Sequence, residues 1–117
     1  MRAYDSTDDK APLRPQISVI VCTRNRSDSL SITLEHLATA DQSDIRVEVI
    51  VVDNGSCDET RQVALSFSER LHERYIFEPK LGVYGKCHAL NKALEAENLG
   101  EIIVVLDDDM TVRTDWF

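Results

Sequence analysis

The chain has 117 residues, with 21 acidic and 13 basic side chains and a formal net charge of −8. That length fits one modest domain, and an apolar share of 43% excludes a wholly disordered chain. The acidic balance speaks against a nucleic-acid binder, which needs a basic face against phosphates, and against docking on an anionic membrane surface. A phosphate-rich ligand would need a divalent cation to cancel like-charge repulsion.

The longest apolar runs, Val49 to Val52 and Ile102 to Leu106, are far too short to span a bilayer. The opening MRAYDSTDDKAPLRP has no apolar stretch of the kind a secretory signal carries, so a cytoplasmic chain is expected. Cys22, Cys57 and Cys87 are odd in number and contain no C-x-x-C pair, which suits reduced thiols better than a disulfide or a zinc site.

Residues 1–15 are polar, contain Pro12 and Pro15, and read as a flexible lead-in to a domain over 16–117. From there the chain falls into a rhythm. Apolar, β-rich runs begin at Ile17, Val47, Tyr75 and Ile102, spaced by 30, 28 and 27 residues. A βαβ unit takes about thirty residues. The first, second and fourth runs are nearly continuous in Val and Ile, as expected of parallel strands buried on both faces.

Helical patterns fill the gaps. Between Ser27 and Ala40, Leu30, Leu34, Leu37 and Ala38 share one stripe, with Ser27 or Asp28 placed to cap the start. Ser56 and Glu59 form a capping-box pattern before a helix that buries Val63, Phe67 and Leu71. A third helix is expected from Gly85 to Asn98, with Cys87, Leu90 and Leu94 inward and Gly100 as its stop. The order β-α-β-α-β-α-β predicts a three-layer α/β/α domain with a mainly parallel sheet, ending soon after its fourth strand.

Ligands of such sheets bind beyond the carboxyl ends of the strands. Three segments there carry chemistry. Asp107, Asp108 and Asp109 directly follow the fourth strand. Adjacent carboxylates repel and lose hydration, a cost that a hard cation such as Mg²⁺ or Mn²⁺ relieves through oxygen ligands. Asp107 and Asp109 form a D-x-D pair able to point the same way; the plainer alternative is an acidic surface turn. Asp53-Asn54-Gly55-Ser56 follows the second strand, with Gly55 suited to a positive φ and Asp53 and Asn54 suited to reading a base or a ribose. Lys86 sits in the first turn of the third helix, where the dipole disfavours a cation and an anionic neighbour is expected. Thr23 to Arg26 lacks both G-x-G-x-x-G and a Walker A loop, which disfavours those modes of NAD or ATP binding. Solvated loop charge is the plain alternative for Arg24 and Arg26 and is the reading taken for Arg26, and His88 takes no role.

In combination these segments resemble the start of a family 2 glycosyltransferase with the GT-A fold, from about Ile17 to Phe117. ISVIVCTRNR resembles the family's opening strand and Thr-x-Asn-Arg turn. EVIVVDNGSCDET resembles its V-V-D-D/N-G-S-x-D-x-T block. GKCHALNKALEAENLGEIIVVLDDDM resembles its G-K-x-x-ALN helix and L-D-x-D strand, in the form found in the processive cellulose-, chitin- and hyaluronan-synthase-like branch.

The resemblance implies roles by position. Thr23, Asn25, Asp53, Asn54, Lys86, Asp107 and Asp108 would meet a nucleotide-diphosphate sugar, favoured as a UDP-sugar, and Asp107 and Asp109 would hold Mg²⁺ or Mn²⁺ on its diphosphate. Asn54 stands where many members carry a second Asp. The family's general base and acceptor half are expected beyond Phe117, in an acceptor domain with which this part would associate. The chain then reads as the donor-binding half of an inverting enzyme, inactive alone. A second reading is a non-catalytic nucleotide-sugar-binding module. A nucleotidyltransferase would show a Gly-rich basic first loop, which CTRNR is not.

Overall fold

A computed structural model describes residues 14–79 and 85–117, the side chains of 85–88 excepted. Seven elements alternate as the periodicity predicts: β1 (Ile17–Thr23), α1 (Ser27–Thr39), β2 (Val47–Asp53), α2 (Thr60–Leu65), β3 (Glu73–Phe77), α3 (Gly85–Leu94) and β4 (Ile102–Asp107). The strands form one sheet in the order β3-β2-β1-β4, and every pair is parallel. Most of the expected lead-in over residues 1–15 lies outside the described residues.

The alternation of a strand divides each Val/Ile run between two layers. Val19, Val21, Val49 and Val51 face α1 and α2, where Leu30, Leu34, Leu37 and Ala64 complete the larger core. Ile20, Cys22, Ile50 and Val52 face α3 on the opposite side. Each fully buried leucine of α1 contributes about 2 kcal/mol of transfer free energy. Both central strands are buried along their whole length.

β4 departs from the expectation. Its Ile102, Ile103 and Val105 are 54%, 37% and 46% exposed. Among the described residues the strand lies at the edge of the sheet and pairs with β1 alone. An apolar run reports that a strand is fit for burial; its place in the strand order decides what covers it.

The helix ends also differ from the sequence reading. Arg26, rather than Ser27 or Asp28, occupies the N-cap of α1 without a side-chain cap bond. The Ser27 amide instead donates to Asp58 Oδ2 at 3.2 Å, so the second loop caps the first helix. The Ser56–Glu59 box does not open α2, which starts at Thr60. Ser56 Oγ accepts the Asn25 amide at 2.8 Å and is thereby spent on the neighbouring loop. Phe67 and Leu71 are buried as expected, but beyond the short α2, while Val63 is half-buried.

α3 ends at Leu94, and its inner face is made by Ala89 and Ala93, both fully buried. Leu90 is half-buried and packs against this core as expected, while Leu94 is 44% exposed, in contrast to the inward face expected of it. Alanines let the helix lie close on the β1–β2 surface, which leaves the leucines to its flanks. Cys87 belongs to the residues whose side chains are not described. Gly100 closes the connection to β4, well after the helix end. A Cβ there would meet the Gln16 carbonyl carbon and oxygen at 2.8 Å, so only glycine fits.

A polar network pins this lower end of the sheet. Gly100 N–H donates to Ser18 Oγ, and Ser18 donates to Glu48 Oε2, each at 2.8 Å. Arg74 completes the set with two bonds to the Glu48 carboxylate at 2.9 and 2.8 Å. The register that results sets Cys22 beside Asp107 on one flank of β1 and Thr23 beside Asp53 on the other. Among the described residues no helix is long and apolar enough to cross a membrane.

Candidate functional site

The chain runs from β1 outward to β2 and β3, then returns past β1 to place β4 on its other side. The strand order therefore reverses at β1 and β4, and a crevice opens beyond their carboxyl ends. A cleft of about 450 Å³ lies there. Thr23, Asn54, Asp107, Asp108 and Asp109 line it, as do Cys22, Arg24, Arg26 and Ala89.

The acidic turn is held by the first strand and the first helix. Asp108 is 6% exposed and points inward, where Thr23 Oγ1 donates to its Oδ2 at 2.9 Å. Thr33, buried on α1, donates to the carbonyls of Asp108 and Met110 at 3.0 and 2.7 Å. His36 Nδ1 lies 3.2 Å from the Val112 carbonyl oxygen, and the Asp41 amide donates to the Thr114 carbonyl at 2.8 Å. These bonds lay the segment after β4 along α1. With Asp108 turned in, Asp107 and Asp109 remain exposed. The D-x-D spacing thus does what an extended turn allows: its outer members face solvent and its middle member faces the core.

Arg26 closes the turn from the other side. Its guanidinium lies 3.4 Å from Asp108 Oδ1 and 3.3 Å from Asp109 Oδ2. The sequence reading treated this arginine as loop charge. The available signal was its position at a helix start, where the dipole opposes a cation, with three carboxylates elsewhere on the same sheet edge.

The second loop divides its residues between construction and cleft. Asp53 is 1% exposed. Its Oδ1 accepts the Ser56 amide at 2.9 Å, and its Oδ2 accepts the Tyr75 hydroxyl. Burial, together with that bond to Asp53, pushes the Tyr75 phenol up from its ordinary pKa. Asp53 was expected to line the nucleotide pocket; its carboxylate is instead turned toward Tyr75 and is absent from the cleft wall. Gly55 has φ 73°, the left-handed conformation expected of it. Asn54 lines the cleft while its amide donates to the Thr23 carbonyl at 2.9 Å. Its Oδ1 is buried and has no hydrogen-bond partner among the described residues. A buried acceptor left open beside a cleft is an invitation to a donor group on a ligand.

Asn25, also expected in the pocket, builds the loops instead. It takes φ 53°, and its Oδ1 accepts the Cys57 amide at 2.7 Å. Asp58, held below the usual carboxylate range mainly by the Thr60 hydroxyl, braces the same junction. Lys86 lies among the residues whose side chains are not described.

The acidic turn can be tested for a divalent cation by its donor set. Among the described residues no three His, Cys, Asp or Glu side chains gather closely enough to hold a metal by themselves. Two exposed carboxylates beside a cleft fit a cation that draws the rest of its shell from water and a substrate's phosphates, as Mg²⁺ commonly does.

Known proteins resemble this chain in sequence and fold. The chain is 30% identical to the structure of S. aureus TarS residues 1–349 in complex with UDP, with a TM-score of 0.76 over 86% of this chain and 29% of that one. It is 34% identical to the mannosyltransferase PcManGT from Pyrobaculum calidifontis in complex with GDP-Man and Mn²⁺, with a TM-score of 0.73 over 88% of this chain and 31% of that one. The validoxylamine A glucosyltransferase of Streptomyces hygroscopicus subsp. limoneus is 41% identical over 68 residues, which make up 58% of this chain and 15% of the relative. The chain therefore spans less than a third of the length of each of these proteins. The match to the family described as Glycosyl transferase family 2 runs over residues 18–117, and the chain belongs to that family.

Proposed function

We propose that this chain forms the donor-binding half of an inverting, metal-dependent glycosyltransferase, one that transfers a sugar from a nucleotide diphosphate to an acceptor. The single observation that carries the reading is the cleft at the β1/β4 reversal, with Asp107 and Asp109 exposed on it and Asn54 Oδ1 buried without a partner among the described residues. The relatives solved with UDP and with GDP-Man and Mn²⁺ add the ligand class.

Within this reading each residue has a task. Asn54 offers Oδ1 to an N–H on the edge of the base, a role that passes to it because both Asp53 oxygens are engaged. Thr23 holds Asp108, and so the whole acidic turn, in register with β1. Asp107 and Asp109 are the carboxylates that would hold Mg²⁺ or Mn²⁺ against the diphosphate. Lys86, in the first turn of α3, is the cation that would answer that diphosphate. A cation bound there supplies charge neutralisation to the leaving nucleoside diphosphate. The general base and the acceptor site belong to other residues of the complete enzyme, so the 117 residues bind donor with little transfer. The Lys86-x-x-Ala89-Leu90-Asn91 pattern assigns that enzyme to the processive branch, working on cytosolic nucleotide sugars.

Calorimetry with UDP and Mn²⁺ tests the reading, with GDP as the second nucleotide. Binding that requires Mn²⁺ is expected. Folded protein that gives no heat with either nucleotide in the presence of Mn²⁺ would overturn it.

A further inference from the structure

Arg26 occupies the N-cap of α1, where the helix dipole disfavours a cation. It stays there between two carboxylates of different character. Asp108 has its side chain 8% exposed and is fixed by Thr23; Asp109 is 52% exposed. The guanidinium itself is half-exposed and contacts Asp109 at 3.3 Å. One partner is thus an anchor and the other is free to be exchanged. An exposed ion pair of this kind contributes little stability. Its charge is nevertheless placed where a second cation would have to sit to use Asp109, and two cations within a few ångströms repel.

We propose that Arg26 is a positioning residue that stands in for the divalent cation at Asp109 in the ligand-free chain. When cation and nucleotide arrive together, Arg26 yields Asp109 and turns its fork onto the diphosphate. This inference rests on the reading of the cleft as a donor site. Its chemistry follows from the partners. A metal ion alone must displace the guanidinium and leave it with Asp108 only. A metal ion accompanied by a diphosphate offers the guanidinium a doubly bonded anion, for which its planar geometry is suited. Cation and nucleotide therefore strengthen each other's binding, and by linkage the factor is the same in both directions. The alternative is that Arg26 is a brace for the acidic turn. A brace predicts that its loss weakens every ligand alike.

The test is calorimetry of the chain with Mn²⁺ alone, UDP alone and both, for wild type, Arg26→Gln and Arg26→Lys. Arg26→Gln should bind Mn²⁺ alone about threefold more tightly, the scale of one exposed ion pair. In the same variant the gain in UDP affinity conferred by Mn²⁺ should shrink by about as much. Arg26→Lys, which keeps the charge, should stay with the wild type for Mn²⁺ alone. The inference is overturned if Arg26→Gln binds Mn²⁺ no more tightly, if the mutual gain is unchanged, or if the lysine variant follows the glutamine one. A second readout needs no variant beyond an assignment. The Arg26 Nε–H signal of the wild type should move to a different position with Mg²⁺ and UDP together than with saturating Mg²⁺ alone; a signal that is the same in both states also overturns it. Wild-type protein that binds neither UDP nor GDP with Mn²⁺ overturns the donor-site reading itself, a different outcome from binding that is indifferent to Arg26.

Discussion

Asp53 ends β2 and Asp107 ends β4, so two acidic loops flank β1 on the same edge of the sheet. Sequence gives them the same look: a carboxylate directly after a buried strand. Their surroundings differ. Asp53 is 1% exposed, and both of its oxygens accept bonds from the protein. In the other loop the middle residue, Asp108, is buried and held by Thr23 and Arg26, while Asp109 meets Arg26 at the surface. Asp107 and Asp109 stay at the surface of the cleft. A carboxylate buried with both oxygens bonded inside the fold builds the site; one kept at the surface of the cleft is within reach of a ligand.

Removing Asp53 should give the largest effect. Asp53→Ala leaves the Ser56 amide and the Tyr75 hydroxyl without their acceptor, at a cost of about 3 kcal/mol. Denaturant unfolding measures it. A loss below about 1 kcal/mol would show that Asp53 is not a construction residue and would restore it to the cleft.

The paired change Asp107→Asn with Asp109→Asn should do the reverse. Stability should stay within about 0.5 kcal/mol, the usual range for surface substitutions. UDP affinity in Mn²⁺ should fall by at least about tenfold, or 1.4 kcal/mol. Equal damage to stability from both loops would erase the contrast between them. Unchanged affinity would remove the cation from Asp107 and Asp109.

Tyr75→Phe is a smaller probe of the first loop. It deletes one hydroxyl from a bond to a charged acceptor and should cost about 1.5 kcal/mol. UDP binding should be unchanged, because Tyr75 lies on the α2 side of the sheet. A change in UDP affinity larger than the change in stability would mean that the two loops act as one site.

Much of this was legible in the residues. The thirty-residue rhythm of Val/Ile runs carries the alternation and the parallel sheet, because strands buried on two faces leave no polar positions to disguise them. The glycine at 55 and the acids at 107–109 mark the loops, because φ and charge repulsion are local. What failed to show is long-range. Whether Ser56 caps its own helix or takes the Asn25 amide depends on a loop 31 residues away. Arg26 looks like solvent-facing charge until β4 brings Asp108 and Asp109 beside it. The exposure of β4 follows from its place in the sheet, and the same letters would read identically in the centre.

The smallest expected effect lies at the opposite end of the sheet and sharpens the comparison from outside. Glu73 opens β3, and its two carboxylate oxygens are buried without a hydrogen-bond partner among the described residues. Burial raises its pKa from 4.5 to about 7. Here is a third fate for an acid: buried away from the cleft, with its proton held to higher pH than an ordinary carboxyl. Between those two values the unfolded chain has released the proton and the folded chain still holds it. The folded state binds more protons, so stability should fall as pH rises through that window, with the full contribution present below it. Glu73→Gln mimics the protonated acid at every pH and should remove the slope. The variant should match the wild type near pH 4.5 and exceed it near pH 8, by roughly 1 kcal/mol once solvent screening of a partly exposed side chain is allowed for. Unfolding of both proteins across that range measures the difference. A gap that stays constant with pH would mean that Glu73 is charged in the fold and paired after all.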